Sequence, residues 1–153
     1  MGRIAHLAPI AAGACLLSWR TPPYPLGLVL VPRTAIILAV AASLCVFGLL
    51  GALWARRTLA DNWSGLVTLK EGHELVQRGP YRFVRHPIYT SLLLMVMGSA
   101  TAAARLAAWL GFLLFAASFW IKIRQEEALM MRHFPEAYPA YKARVKALVP
   151  FVL

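Results

Sequence analysis

The sequence predicts an all-α fold: a polytopic integral membrane bundle of about four transmembrane helices, with a C-terminal helical hairpin and a cytoplasmic amphipathic tail. Three observations predict it. Hydrophobic residues make up 60% of the 153 positions and charged residues only 14%, well below the roughly 25% of soluble domains. The apolar residues gather in blocks that are hydrophobic all round, as lipid-facing or deeply buried helices require. The basic residues, which give a net charge of +10, flank these blocks instead of lining one soluble face. That placement argues against nucleic acid and for anionic headgroups or an anionic small molecule as partners.

The first block, Ile4 to Trp19, is short and contains His6 and Pro9. Arg3 and the run Ala12-Gly13-Ala14-Cys15 faintly resemble a lipoprotein signal, but Pro9 interrupts the apolar stretch, so the block is expected to be retained as a helix. Arg20-Thr21-Pro22-Pro23-Tyr24-Pro25 reads as a rigid extended connector. Thr34 to Trp54 has the length a bilayer core requires. Ile88 to Ala104 and Leu106 to Ile121 are separated only by Arg105 and read as a tight hairpin, with Arg105 snorkelling to the far headgroups. Beyond it, Phe134, Tyr138, Tyr141, Val145 and Leu148 recur at helical spacing, with Pro135 and Pro139 breaking the helix into short pieces. Lys142, Arg144 and Lys146 are expected to point toward headgroups, the tail lying on the membrane or over a site as a lid.

Loop charge orients these blocks. Arg56, Arg57, Lys70, Arg78, Arg82 and Arg85 fall in one segment and Lys122, Arg124, Arg132, Lys142, Arg144 and Lys146 in the other, leaving Arg20, Arg33 and Arg105 for the opposite side. With four spans, both basic segments and both termini are cytoplasmic by the positive-inside rule, and a bacterial inner membrane is the expected location. The organisation that follows is one membrane domain over 1–153: N-terminal helices over 1–54, a cytoplasmic loop over 55–87, a transmembrane hairpin over 88–121 and a tail or lid over 122–153. Cys15 and Cys45 lie in apolar blocks, so neither a disulfide framework nor a metal site is expected.

Three polar clusters carry the chemistry: Glu71 to Tyr81, Arg85-His86-Pro87-Ile88-Tyr89 at the entrance of the third block, and Lys122-Ile123-Arg124-Gln125-Glu126-Glu127 at the exit of the fourth. The last two bracket one hairpin, so they must meet on one face of the membrane. Pro87 suits the first turn of a helix, whose free N–H groups take an anion. Adjacent carboxylates at a membrane boundary are costly unless they meet a cation or hydroxyl donors, and Lys122 is one turn from Glu126. A ligand with a cationic centre, hydroxyls, a carboxylate and an aromatic ring matches this set, and S-adenosylmethionine has all four, with Tyr81 and Tyr89 available to its adenine or sulfonium. Each piece also has a plainer reading as an interfacial anchor, a solvated helix end or a belt aromatic.

The pattern Gly79-x-Tyr81-x-x-x-Arg85-His86-Pro87-x-Tyr89, followed after a hairpin by Glu126-Glu127 and then Phe134, Tyr138 and Tyr141, resembles the isoprenylcysteine carboxyl methyltransferase family, from about Trp63 to Pro150. Phospholipid N-methyltransferases share the paired glutamates. The resemblance implies a helical membrane enzyme that uses S-adenosylmethionine on a lipid or other lipophilic substrate. By position it implies His73, Glu74, Leu75, Val76, Tyr81, His86, Pro87, Ile88, Tyr89 and Glu126 as cofactor contacts, and Arg85, Lys122 and Glu127 as catalytic candidates, with no metal. An arginine is usual where this chain has Lys122, which lacks the bidentate fork. Ser91 stands where a glycine is common, which predicts looser helix packing there. Methyl transfer would be direct and in line, to a carboxylate, an amine or a thiol, with Glu127 or His86 available to take a proton. No glycine-rich loop follows a strand pattern, so a Rossmann-type methyltransferase is excluded. Competing readings are a non-catalytic assembly or transport-associated membrane protein, against which the near absence of ionisable residues inside the blocks argues, and a lipid double-bond reductase on a related scaffold.

Overall fold

The computed structural model describes residues 7–59, 75–150 and 152. Among these residues it is all-helical. α1 spans Leu7–Ser18, α2 Ala35–Leu59, α3 Pro87–Ala103, α4 Leu106–His133 and α5 Ala137–Arg144, with a single 3-10 turn over Gly79–Arg82 ahead of α3. The only extended pairings among the described residues are two isolated bridges, Val29 with Arg105 and Val84 with Lys146.

α2, at 25 residues, is about 38 Å long and α4, at 28, about 42 Å, against a hydrocarbon core of about 30 Å. Both are long and apolar enough to cross a membrane, whereas α1 and α3 are apolar but shorter. The exposed side chains of α2, among them Ile36, Val40, Phe47 and Leu50, form the lipid-facing surface that an all-apolar helix provides.

Small residues set the packing, as they do between helices that gain nothing from water exclusion. α2 lies along α3. A Cβ on Gly98 would stand 2.6 Å from the Ala41 carbonyl oxygen, and one on Gly48 would stand 2.6 Å from that of Ser91. α1 lies along α4, where a Cβ on Gly111 would stand 2.7 Å from the Gly13 carbonyl. Ser91 does not loosen the bundle as its residue type suggests. It is buried, and its hydroxyl occupies the space left by Gly51 of the facing helix, 2.6 Å from where a Cβ would be.

The hairpin turn is as tight as the sequence predicts. Ala104 ends α3 in the left-handed region at φ 64°, and Arg105 is extended before α4 begins. A left-handed alanine costs about 1 kcal/mol or more. The connector after α1 offsets this by taking up the orphan groups of the turn. Leu106 and Ala107 donate their N–H groups to the Leu28 and Leu26 carbonyls, and Leu30 donates to that of Ala104, so the first turn of α4 is satisfied without side-chain caps. Arg33 caps the C-terminal end of α3 through Ala103 O at 2.8 Å. Arg105 reaches the Trp19 carbonyl at 3.2 Å, where the sequence suggested far headgroups.

The apolar stretch closes at Ile121, and α4 continues as one helix to His133, in keeping with the one-turn spacing of Lys122 and Glu126. Lys122 to Glu127 is therefore a helical face, a rigid extension beyond the apolar stretch.

Candidate functional site

The site is built where α3 begins, on the extension of α4 and under the tail. Gly79 opens the 3-10 turn at φ +58°, a conformation that glycine adopts freely, and a side chain there would collide with Thr58 Oγ1 at 2.8 Å. The turn buries Pro80 and Tyr81 and delivers the chain to Arg85. His86 is then the N-cap of α3 and Pro87 its first residue.

The tail stitches this entrance. Arg85 and His86 donate their backbone N–H groups to Lys146 O at 2.8 Å and Ala147 O at 3.0 Å, and Thr90 Oγ1 donates to Leu148 O at 2.7 Å. These two N–H groups precede the first turn of α3 and are taken by the tail. Tyr141 donates from its hydroxyl to Tyr81 O at 2.6 Å. Tyr138 and Tyr141 are buried on α5, and burial pushes the Tyr141 phenol up to about 12. Burial likewise raises Tyr81 and Tyr138 well above the ordinary tyrosine value.

The two carboxylates of α4 have different surroundings. Glu127 is buried and receives three partners. Arg85 donates to its Oε1 from Nε at 2.9 Å and from Nη2 at 2.6 Å. His86 Nε2 lies 3.3 Å from the same oxygen, and Lys142 Nζ donates to Oε2 at 2.7 Å. Arg85 also donates to the carbonyls of Lys142 and Val145, which ties α4 to the tail. Two cations and an imidazole around one carboxylate supply what a buried charge requires. Glu126 accepts from the Tyr89 hydroxyl at 2.5 Å, its Oε2 is 3.7 Å from His86 Nδ1, and a quarter of its side chain is exposed. His86 thus stands between the two carboxylates, one ring nitrogen toward each.

The residues singled out by sequence are therefore largely brought together. Arg85, His86, Tyr89, Glu126 and Glu127 form one network. Pro87 is buried beside it, Ile88 is half-buried, and Tyr81 lies under the tail. Lys122 stands with Nζ 5.7 Å from the Tyr89 ring centroid, and among the described residues no ion pair joins it to Glu126. Leu75 and Val76 are half-buried; His73 and Glu74 lie outside the described residues. The tail lysine expected at the headgroups, Lys142, instead grips Glu127, and Arg144 bonds Gln77 Oε1 at 3.0 Å. Lys142 and Thr90 were the members sequence reasoning missed as site residues. The only signal for Lys142 was that Glu127 needed a cation. Among the described residues no group of three or more His, Cys, Asp or Glu is arranged to hold a metal ion.

The fold and site define a helical membrane protein with a polar, carboxylate-bearing mouth at one end of a hairpin. The chain belongs to the isoprenylcysteine carboxyl methyltransferase (ICMT) family, whose family model matches residues 36–132. It is 35% identical over 114 residues to the nickel-cobalt-cadmium resistance protein NccN of Alcaligenes xylosoxydans xylosoxydans, covering 72% of this chain and 52% of that protein. It is 32% identical over 113 residues to the cobalt-zinc-cadmium resistance protein CzcN of Cupriavidus metallidurans, covering 72% and 51%. It is 31% identical over 98 residues to protein-S-isoprenylcysteine O-methyltransferase B of Arabidopsis thaliana, covering 62% and 50%. The chain thus spans about half the length of the curated relatives it matches.

Proposed function

We propose that this chain is an integral membrane methyltransferase that uses S-adenosylmethionine on a lipophilic or membrane-delivered acceptor. The observation that carries the reading is the position of His86 between Glu126 and Glu127, which joins both ends of the family motif at one mouth. Membership of a family with this activity in its description supports it, as does a relative named for isoprenylcysteine methylation.

The residues present fit the cofactor. Glu126 is a part-exposed carboxylate whose Oε2 has, among the described residues, a distant imidazole beside it, so it can receive a cationic centre or ribose hydroxyls. The Tyr89 ring adjoins His86 at 5.8 Å and Phe119 at 5.1 Å between centroids, an aromatic wall suited to adenine or sulfonium. In this reading Glu126 holds the cofactor, with Leu75, Val76, Tyr81, His86, Pro87, Ile88 and Tyr89 around it and His73 and Glu74 completing the wall. The donor supplies an activated methyl group on sulfur when bound. The chain supplies proximity, orientation and exclusion of water.

Against the cost of burial, hydrogen bonds from His86, Lys142 and Arg85 hold the Glu127 carboxyl in its charged form, which makes it a poor proton acceptor. Its part, and that of Arg85, is to fix His86 and the tail. Where the acceptor must lose a proton, His86 is the group placed to receive it. Lys122, beside Tyr89, faces the acceptor and offers it a single point charge. We propose four spans in a bacterial inner membrane, with both termini and the mouth on the cytoplasmic side, the orientation resting on the distribution of Lys and Arg. The domain bounds are those stated from the sequence: 1–54, 55–87, 88–121 and 122–153 as parts of one membrane domain.

Calorimetry on the purified protein in nanodiscs tests the reading. S-adenosylmethionine should bind, Glu126→Ala and His86→Ala should weaken it strongly, and Arg20→Ala should not. No binding by the unaltered protein rejects the enzyme reading, equal binding in all three variants rejects the site, and preference for a nicotinamide cofactor favours the reductase.

A further inference from the structure

A second concavity lies on the other flank of Glu127. A cleft of about 130 Å³ is lined by Arg85, Trp120, Ile123, Arg124, Glu127, Lys142 and Ala147. That is below the roughly 300 Å³ at which sites for whole small molecules begin, and it leaves room for one compact group. Glu126, Tyr89 and Lys122 are not among its lining residues. Positions two apart on a helix do not share a face, so Arg124 and Lys122 look to different sides of α4, and the cleft adjoins the proposed cofactor mouth, with Arg85 and Glu127 forming the wall between them.

Its charge is unbalanced. Three cations face one carboxylate, and that carboxylate is already taken by Arg85 and Lys142. Arg124 is exposed, and among the described residues no carboxylate lies within ion-pair distance of it. Its guanidinium carbon sits 4.9 Å from the Trp120 ring centroid. Stacking uses the face of a guanidinium and leaves its N–H edge for a planar or tetrahedral anion. The cleft also lies at the end of the apolar run that closes with Trp120 and Ile121, both partly exposed. Tryptophan at that level is an interfacial anchor.

We propose that this cleft binds a phosphoryl anion at the membrane surface, supplied by the headgroup of an acidic phospholipid. Arg124 and Lys142 clasp the phosphate and Trp120 lies against the glycerol backbone. The proposal does not rest on methyl transfer, and the cofactor calorimetry above is read separately from it.

Native mass spectrometry of the full chain in detergent, with equal phosphatidylglycerol and phosphatidylcholine, tests it. The protein should retain phosphatidylglycerol in preference. One surface charge is worth on the order of fivefold in lipid binding, so Arg124→Glu should lower retention by at least about that factor. Arg132→Glu makes the same charge change on an exposed position of α4 outside the cleft and should leave retention unchanged. Arg124→Gln replaces Arg124→Glu if the reversal lowers the melting temperature. Lipid retained against millimolar inorganic phosphate assigns the site to the headgroup. A phosphate adduct replacing the lipid assigns it to free phosphate, and either result supports a phosphoryl site. The absence of headgroup preference, equal loss in the Arg124 and Arg132 variants, or full retention by Arg124→Gln overturns the proposal.

Discussion

Arg85 places both its Nε and its Nη2 on a single oxygen of Glu127, at 2.9 and 2.6 Å, leaving the other oxygen to Lys142. Both side chains are nearly buried, at 8% and 6% exposure. Breaking such a pair from one side strands a charge and costs about 3–5 kcal/mol. Arg85→Ala and Glu127→Ala should each lower the melting temperature in detergent sharply. Arg85→Met combined with Glu127→Met should be less destabilised than the sum of Arg85→Met and Glu127→Met alone, as a double-mutant cycle over those variants reads directly.

Tyr89→Phe removes the 2.5 Å donor to Glu126 and leaves the ring stack with Phe119 in place. Hydrogen bonds to charged groups are worth about 1.5–3 kcal/mol. The bond is made without ligand, so Tyr89→Phe should lower the melting temperature in detergent, and cofactor affinity by calorimetry should fall as Glu126 loses the donor that holds it in place. An unchanged dissociation constant would detach Tyr89 from the cofactor.

Gly98→Ala should separate α2 from α3, because the new methyl would stand 2.6 Å from the Ala41 carbonyl oxygen and 2.8 Å from Cys45 Sγ. Overpacking of this kind costs about 1–3 kcal/mol. Denaturation in mild detergent should show it, and a cross-link engineered between the two helices should form more slowly.

Tyr141→Phe loses a buried hydrogen bond to Tyr81 O, about 1 kcal/mol by the usual measure. Limited proteolysis should then cut the tail faster. The phenol's raised value, about 12 against 10.0 for the free group, sets a pH dependence. The folded state holds this proton more tightly, so the contribution is fully present below pH 10.0 and is lost as pH rises through about 12. Tail protection should decline over that window in the parent protein, and the decline should be shallower in Tyr141→Phe.

Much of the fold was legible because it rests on local signals. Apolar runs marked α2, α3 and the start of α4, and Pro87 fell at the first position of α3. Beyond the apolar stretch, Ala128, Leu129, Met130 and Met131 are strong helix formers and carry α4 on to His133. What was hidden depended on distant partners. Lys142 lies 15 positions from Glu127, across the break at Pro135, and no periodicity links them. The bridge between Val84 and Lys146 is a pairing between segments 62 positions apart, which composition does not encode. Ser91 was judged from its own helix, whereas the room for it is made by Gly51 on another.

The attachment of Lys146, Ala147 and Leu148 to the entrance of α3 has a consequence for biogenesis. The hydrophobic helices are all translated before those three residues. The mouth is therefore closed late, by the last of its parts to leave the ribosome. A chain stalled at α4 would hold every residue of the Arg85–Glu127 pair and still lack the strap that keeps Arg85 and His86 in register.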